Sequence, residues 1–78
     1  MPMERLVADL ARSLVDNPDA VRVEAERRDD VTVLRLTVAD TDRGQIIGRG
    51  GRIVRSLRTI VRAGGVQSGE RYVLELVE

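Results

Sequence analysis

Residues 46–53 read Ile46-Ile47-Gly48-Arg49-Gly50-Gly51-Arg52-Ile53, three glycines within four positions set between two apolar, helix-compatible stretches. A residue without a Cβ takes positive φ freely and lets a bulky ligand approach its backbone. Arg49 and Arg52 place positive charge beside that opening. If the chain is helical from Gly51 onward, the first N–H groups and the positive end of the helix dipole point back at the turn, which makes an anion site. The stretch therefore predicts a helix-turn-helix grip on a phosphate backbone.

Working outward, residues 51–63 fit a helix. At helical spacing Ile53, Val54, Leu57, Ile60 and Val61 share one arc, while Arg52, Arg55, Arg58, Thr59 and Arg62 share the opposite one. Gly64-Gly65 predicts its C-terminal stop, Val66 to Gly69 a loop, and the alternation of Tyr72, Leu74 and Leu76 with Val73, Glu75 and Val77 a last strand. Upstream, Thr41 or Asp42 is placed to cap a short helix over 43–47.

Residues 2–15 repeat Met3, Leu6, Val7, Leu10, Ala11 and Leu14 on one helical face, and Asn17-Pro18 ends that helix. Val21, Val23 and Ala25 alternate with charged residues as a half-buried strand. Arg28-Asp29-Asp30 makes a turn, and Val31 to Val38 forms a second strand with Leu34, Leu36 and Val38 on one face. The order is α-β-β-α-α-β: an α+β fold, one domain over residues 1–78, with three helices on one face of a three-stranded sheet.

Formal charge balances at 13 basic and 13 acidic residues, but it is segregated along the chain. From Arg43 to Gly69 there are six arginines, Arg43, Arg49, Arg52, Arg55, Arg58 and Arg62, and no acid; residues 1–42 hold six basic against ten acidic residues. A basic segment inside an acidic surround is the footprint of a phosphate-binding face. A chain of 78 residues buries only about 60% of its unfolded surface, so self-association or a partner would help it. With no cysteine and no histidine, a disulfide, a thiolate metal site and the commonest general base are all excluded, so neither cofactor nor catalysis is expected. No apolar run approaches the ~20 residues of a membrane span. Glu4 and Asp9 do not suit a signal peptide, and the expected location is the cytoplasm, away from membranes.

With its element order and Ile47-Gly48-Arg49-Gly50-Gly51 between two helices, the chain resembles a type II KH domain, whose signature is Ile-Gly-x-x-Gly and whose sheet is mixed. Because the domain fills the chain, and Leu14-Val15-Asp16-Asn17-Pro18 follows the first helix, it is most similar to the KhpA family of small stand-alone KH proteins of bacteria. That resemblance implies a non-enzymatic RNA-binding protein, a chaperone or post-transcriptional regulator pairing with a KhpB (Jag or EloR) protein, in some bacteria with effects on cell length and wall synthesis. It further implies that Gly48, Arg49, Gly50 and Gly51 hold the sugar-phosphate backbone of single-stranded RNA. Arg52 flanks that contact, and Ile47, Ile53 and apolar residues of the adjoining strand floor a groove for about four nucleotides.

Blander readings stand beside these. The glycine turn could be a tight interhelical connection; a nucleotide-binding loop fits less well, because Arg52-Ile53 follows Gly51 where a Walker loop wants Lys-Ser/Thr, and no strand precedes it. Arg43, Arg55, Arg58 and Arg62 are candidates for RNA or partner contact, or a solvated helix face. Leu57 reads as core, Tyr72 as a strand residue with a wet hydroxyl, and Asp29-Asp30 and Asp40/Asp42 as turn or cap residues. The competing function is a protein-interaction adaptor, the fold serving a homodimer or a KhpB-like partner through the turn and its arginine helix. A self-association surface that includes the turn must then compete with RNA.

Overall fold

The computed structural model describes residues 2–78. Helix α1 spans Met3–Leu14 and buries Met3, Val7, Ala8 and Ala11. It ends where Val15 turns extended, and Pro18 starts a single 3-10 turn, Pro18–Ala20. Strands β1 (Arg22–Arg28) and β2 (Val31–Thr37) pair antiparallel, with Arg28 opposite Val31. The two-residue connection puts Asp29 at φ 54°, a left-handed conformation that aspartate tolerates better than most side chains. A 3-10 turn, Asp40–Asp42, leads into α2 (Arg43–Ile47); a second, Arg49–Gly51, leads into α3 (Arg52–Ser68), and β3 (Arg71–Leu76) closes the fold.

The sheet order is β1-β2-β3, with β2 and β3 parallel, so the sheet is mixed and α2–α3 form the crossover between its parallel strands. Helix α1 lies against β1 and β2, α3 lies against β3, and α2 packs against both α1 and α3, which also touch each other. Leu34 and Leu36 of the central strand, Val7 and Ala11 of α1 and Ile46 of α2 are fully buried, and Val61 of α3 is nearly so. On the other sheet face Arg35 bridges its neighbours, Nη2 donating to Glu26 at 2.8 Å and Nε lying 3.4 Å from Glu75. The hydrogen bond from Arg35, ahead of the charge of Arg28, holds the Glu26 carboxyl below its ordinary pKa.

Several local readings differ from the structure: Leu14, assigned to the inner face of α1, is 37% exposed, and Val66 to Ser68, read as loop, are helical. Gly64-Gly65 does not end α3, which runs on to Ser68. Gly65 serves packing instead: a Cβ there would lie 2.6 Å from the Glu70 carbonyl oxygen and 3.2 Å from the Tyr72 ring, whereas at Gly64 it would meet only the flexible end of Met3. The helix ends at Gly69, left-handed at φ 74°, while Glu70 N–H returns to the Gly65 carbonyl at 2.8 Å. Ile60, assigned to the apolar arc, is 41% exposed because it falls at the arc's edge. Ala25, assigned inward, is exposed on the edge strand β1.

Asp42 precedes α2 without a side-chain capping bond. Its carboxylate, 1% exposed, instead accepts from Asp16 N–H at 3.3 Å, Asn17 N–H at 3.1 Å and Asn17 Nδ2 at 3.0 Å. One buried acid thus ties the end of α1 to the start of α2, and its hydrogen bonds offset the cost of burying charge.

Candidate nucleic-acid interface

Helix α2 ends because Gly48 leaves helical space at φ 74°, ψ 172°, a conformation essentially restricted to glycine. A Cβ there would also sit 2.6 Å from Cγ1 of Ile53. Gly50 (φ 65°, ψ 19°) and Gly51 (φ 77°, ψ 15°) are both left-handed, which reverses the chain into α3 within three residues. Gly48 N–H donates to the Gly44 carbonyl at 2.8 Å and Gly51 N–H to the Gly48 carbonyl at 3.1 Å. Among the described residues the N–H groups of Arg49 and Gly50 have no backbone acceptor. They face the same exposed turn that carries the Arg49 and Arg52 side chains. With no side-chain cap on α3, the turn combines free donors, two guanidinium groups and a helix N-terminus.

The other candidates divide. Ile53 is half-buried beneath Gly48 and joins the core, so it supports the turn from inside, whereas Ile47 is 37% exposed at its rim. Arg43 is half-buried and donates Nη1 to the Val77 carbonyl, fastening α2 to the end of β3. Arg55 folds back on the turn, donating Nη2 to the Gly50 carbonyl at 2.7 Å and Nε to the Gly51 carbonyl at 3.3 Å. Arg58 Nε reaches the Leu74 carbonyl of β3 at 3.4 Å, and Arg62 lies one turn beyond it. The arginine arc is therefore two flanks, one at the turn and one against β3.

A depression of about 400 Å3 lies between α3 and β3, along the second flank and away from the turn. Arg58, Arg62 and Arg71 rim it, and Val66, Tyr72 and Leu74 line it. At 1.5 Å per residue Arg58 stands about 10 Å along the helix from the glycine turn, so turn and trough lie in line on α3. Tyr72, the chain's only aromatic residue, donates its hydroxyl to the Glu70 carboxylate, and that bond raises its pKa. The sequence reading missed the return of Arg55. Its signal is the spacing, since side chains on a helix tilt toward its N-terminus and a residue one turn in reaches the residues before it.

Comparison with known families settles the ancestry of this arrangement. A family described as KhpA/KhpB, KH domain, matches residues 4–76. The chain belongs to the KhpA/KhpB KH-domain family. It is 43% identical over 75 residues to the RNA-binding protein KhpA of Treponema pallidum, covering 96% of this chain and 94% of that protein. It is 40% identical over 76 residues to the RNA-binding protein KhpA of Bacillus subtilis, with 97% and 94% coverage. Among solved structures it is similar to Era in complex with MgGDPNP and nucleotides 1506–1542 of 16S ribosomal RNA, at TM-score 0.59 and 21% identity, covering 97% of this chain and 30% of that one. An Aquifex aeolicus Era variant gives TM-score 0.57 at 20% identity, covering 97% and 31%. At such identities the Era likeness speaks to the fold alone. The α+β, type II KH architecture is the family's own.

Proposed function

We propose that the chain is a binding module for single-stranded RNA that does no covalent chemistry, clamping one backbone phosphate at Gly48–Gly51 and leading the strand along α3 toward the β3 trough. The observation that carries this reading is the turn itself: three positive-φ glycines expose two unpaired N–H groups between Arg49 and Arg52. It is supported by relatives that carry the name RNA-binding protein KhpA over essentially their whole length. With a single tyrosine as its aromatic complement, the chain has little surface for base stacking, so contact with the backbone leads the binding. Weak, backbone-led binding of that kind suits remodelling of RNA pairing beside a KhpB-like partner.

Salt dependence tests the clamp. Arg43, Arg55 and Arg58 are engaged with carbonyl groups, which leaves Arg49, Arg52 and Arg62 to meet phosphates. At about −0.7 per neutralised phosphate on a single strand, log K against log salt should fall with a slope of roughly −2. A slope near zero rejects phosphate-led binding, and one steeper than roughly −3 means that the engaged arginines also reach RNA.

A second reading is favoured by Ile60, which is 41% exposed and shares a shallow surface with Arg52, Arg55, Ser56 and Thr59. This side of α3 suits a second copy or a KhpB-like partner. Arg52 belongs both to this surface and to the clamp, so a dimer formed through Ile60 should give way at saturating RNA. Sedimentation of wild type and Ile60→Glu, with and without RNA, tests this: a dimer that survives both Ile60→Glu and saturating RNA lies elsewhere.

A further inference from the structure

We propose that Arg55 is the positioning residue of the clamp, locking the Gly50–Gly51 peptide plane so that the turn offers N–H groups and not carbonyl oxygens to an anion. The proposal rests on the RNA-clamp reading. That peptide plane consists of the Gly50 carbonyl and the Gly51 N–H, and each end has one partner: Arg55 Nη2 at 2.7 Å for the oxygen, and the Gly48 carbonyl at 3.1 Å for the N–H. Side-chain packing does not hold it. A Cβ on Gly50 would meet nothing within 4 Å, and one on Gly51 would meet only Nε of Arg55, at 4.0 Å.

A peptide between two glycines can rotate as a unit because neither flanking residue has a Cβ to oppose the change in ψ and φ. Rotation would break the bond from Gly51 to Gly48 and swing the Gly50 oxygen out of its present direction, adding a partial negative charge to a surface that must receive phosphate. Arg55 stops this by holding the oxygen with a charge-assisted bond, and its Nε adds a contact to the next carbonyl, Gly51, at 3.3 Å. The same residue keeps its positive charge next to the turn, so the lock does not lower the local potential. Arg55 thus differs in role from Arg49 and Arg52, which project from the turn with no such contacts to its backbone.

The test compares wild type, Arg55→Ala and Arg55→Lys by fluorescence anisotropy with fluorescein-labelled RNA octamers of randomised sequence, over a range of salt. Amide exchange of Gly51 is followed by NMR without RNA, and circular dichroism verifies folding. Losing a charge-assisted hydrogen bond on the turn should weaken RNA binding in Arg55→Ala about tenfold and speed Gly51 exchange by a similar factor. The salt slope should stay at its wild-type value, since no phosphate contact is lost. Arg55→Lys, which keeps the charge but not the two-pronged guanidinium, should speed Gly51 exchange and weaken binding less than Arg55→Ala does. A slope shallower by about 0.7 with Gly51 exchange unchanged would overturn the proposal, making Arg55 a phosphate ligand. Unchanged affinity and exchange would overturn it equally. The double variant Arg49→Asp/Gly50→Asp serves as the control for the clamp: if it binds like wild type the RNA reading has failed, while Gly51 exchange still decides whether Arg55 locks the turn.

Discussion

Replacing Arg49 and Gly50 together by aspartate is expected to remove binding of single-stranded RNA while leaving the protein folded. One guanidinium is lost and two carboxylates are gained at the turn. Each unit charge within about 4 Å of a phosphate is worth about 1 kcal/mol in water and more where solvent is displaced. Three such changes of the same sign come to about 3 kcal/mol, a little over 100-fold in affinity. The structural cost is small by comparison. Gly50 has open space where a Cβ would go, and its φ of 65° lies in the left-handed region that aspartate enters at about 1 kcal/mol. Filter binding or anisotropy with a labelled oligoribonucleotide measures the first effect and circular dichroism the second. A folded double variant that binds RNA as tightly as wild type would remove the turn from the RNA site.

Periodicity could be read from the chain beforehand at the centre of each stripe, though not at margins such as Ile60 or on the edge strand at Ala25. The two-residue alternation of β2 put Leu34 and Leu36 in the core, and the 3.6-residue repeat of α1 put Val7 and Ala11 there, because burial selects side chains one face at a time. The glycine turn was legible for a related reason, as few other uses require three residues without Cβ in four positions. Glycines at 64 and 65 misled because a glycine pair at a helix end has two explanations, a left-handed cap or a close contact, and only the approach of Glu70 and Tyr72 to Gly65 chooses the second. The cap is Gly69, four residues later.

The candidate site was legible in sign but not in detail. Six arginines without an acid between residues 43 and 69 identify a positive region whatever the fold. Which guanidinium groups remain available depends on carbonyl oxygens contributed by other elements: Val77 for Arg43, Leu74 for Arg58, and the turn itself for Arg55. Long-range partners such as those of Arg43 and Arg58 leave no trace in spacing along the chain, unlike the local return of Arg55 to the turn. The same holds for Asp42, whose neighbours suggest a helix cap while its carboxylate is used by Asp16 and Asn17, some 25 residues earlier.

Gly48→Ala is expected to be far more damaging to stability than Gly50→Ala, although both replace a positive-φ glycine in one turn. At Gly48 two penalties coincide. The backbone at φ 74°, ψ 172° lies where residues with a Cβ hardly occur, which costs about 1–3 kcal/mol. The new methyl would also stand 2.6 Å from Cγ1 and 3.0 Å from both Cβ and Cδ1 of Ile53. Because Ile53 is branched at Cβ and packed against the core, it cannot swing aside, and relief requires moving the first turn of α3, for about 1–3 kcal/mol more. A domain of this size has about 4–12 kcal/mol in total, so a loss near 4 kcal/mol takes a third or more of it. At Gly50 only the left-handed penalty of about 1 kcal/mol applies, since nothing lies within 4 Å of the added methyl. At about 4–8 °C per kcal/mol for a chain this short, a loss near 4 kcal/mol should place the melting of Gly48→Ala about 16–32 °C below wild type, with Gly50→Ala within about 8 °C of it. Equal melting temperatures for the two variants would show that Ile53 yields to the methyl and that Gly48 is fixed by neither of the constraints described.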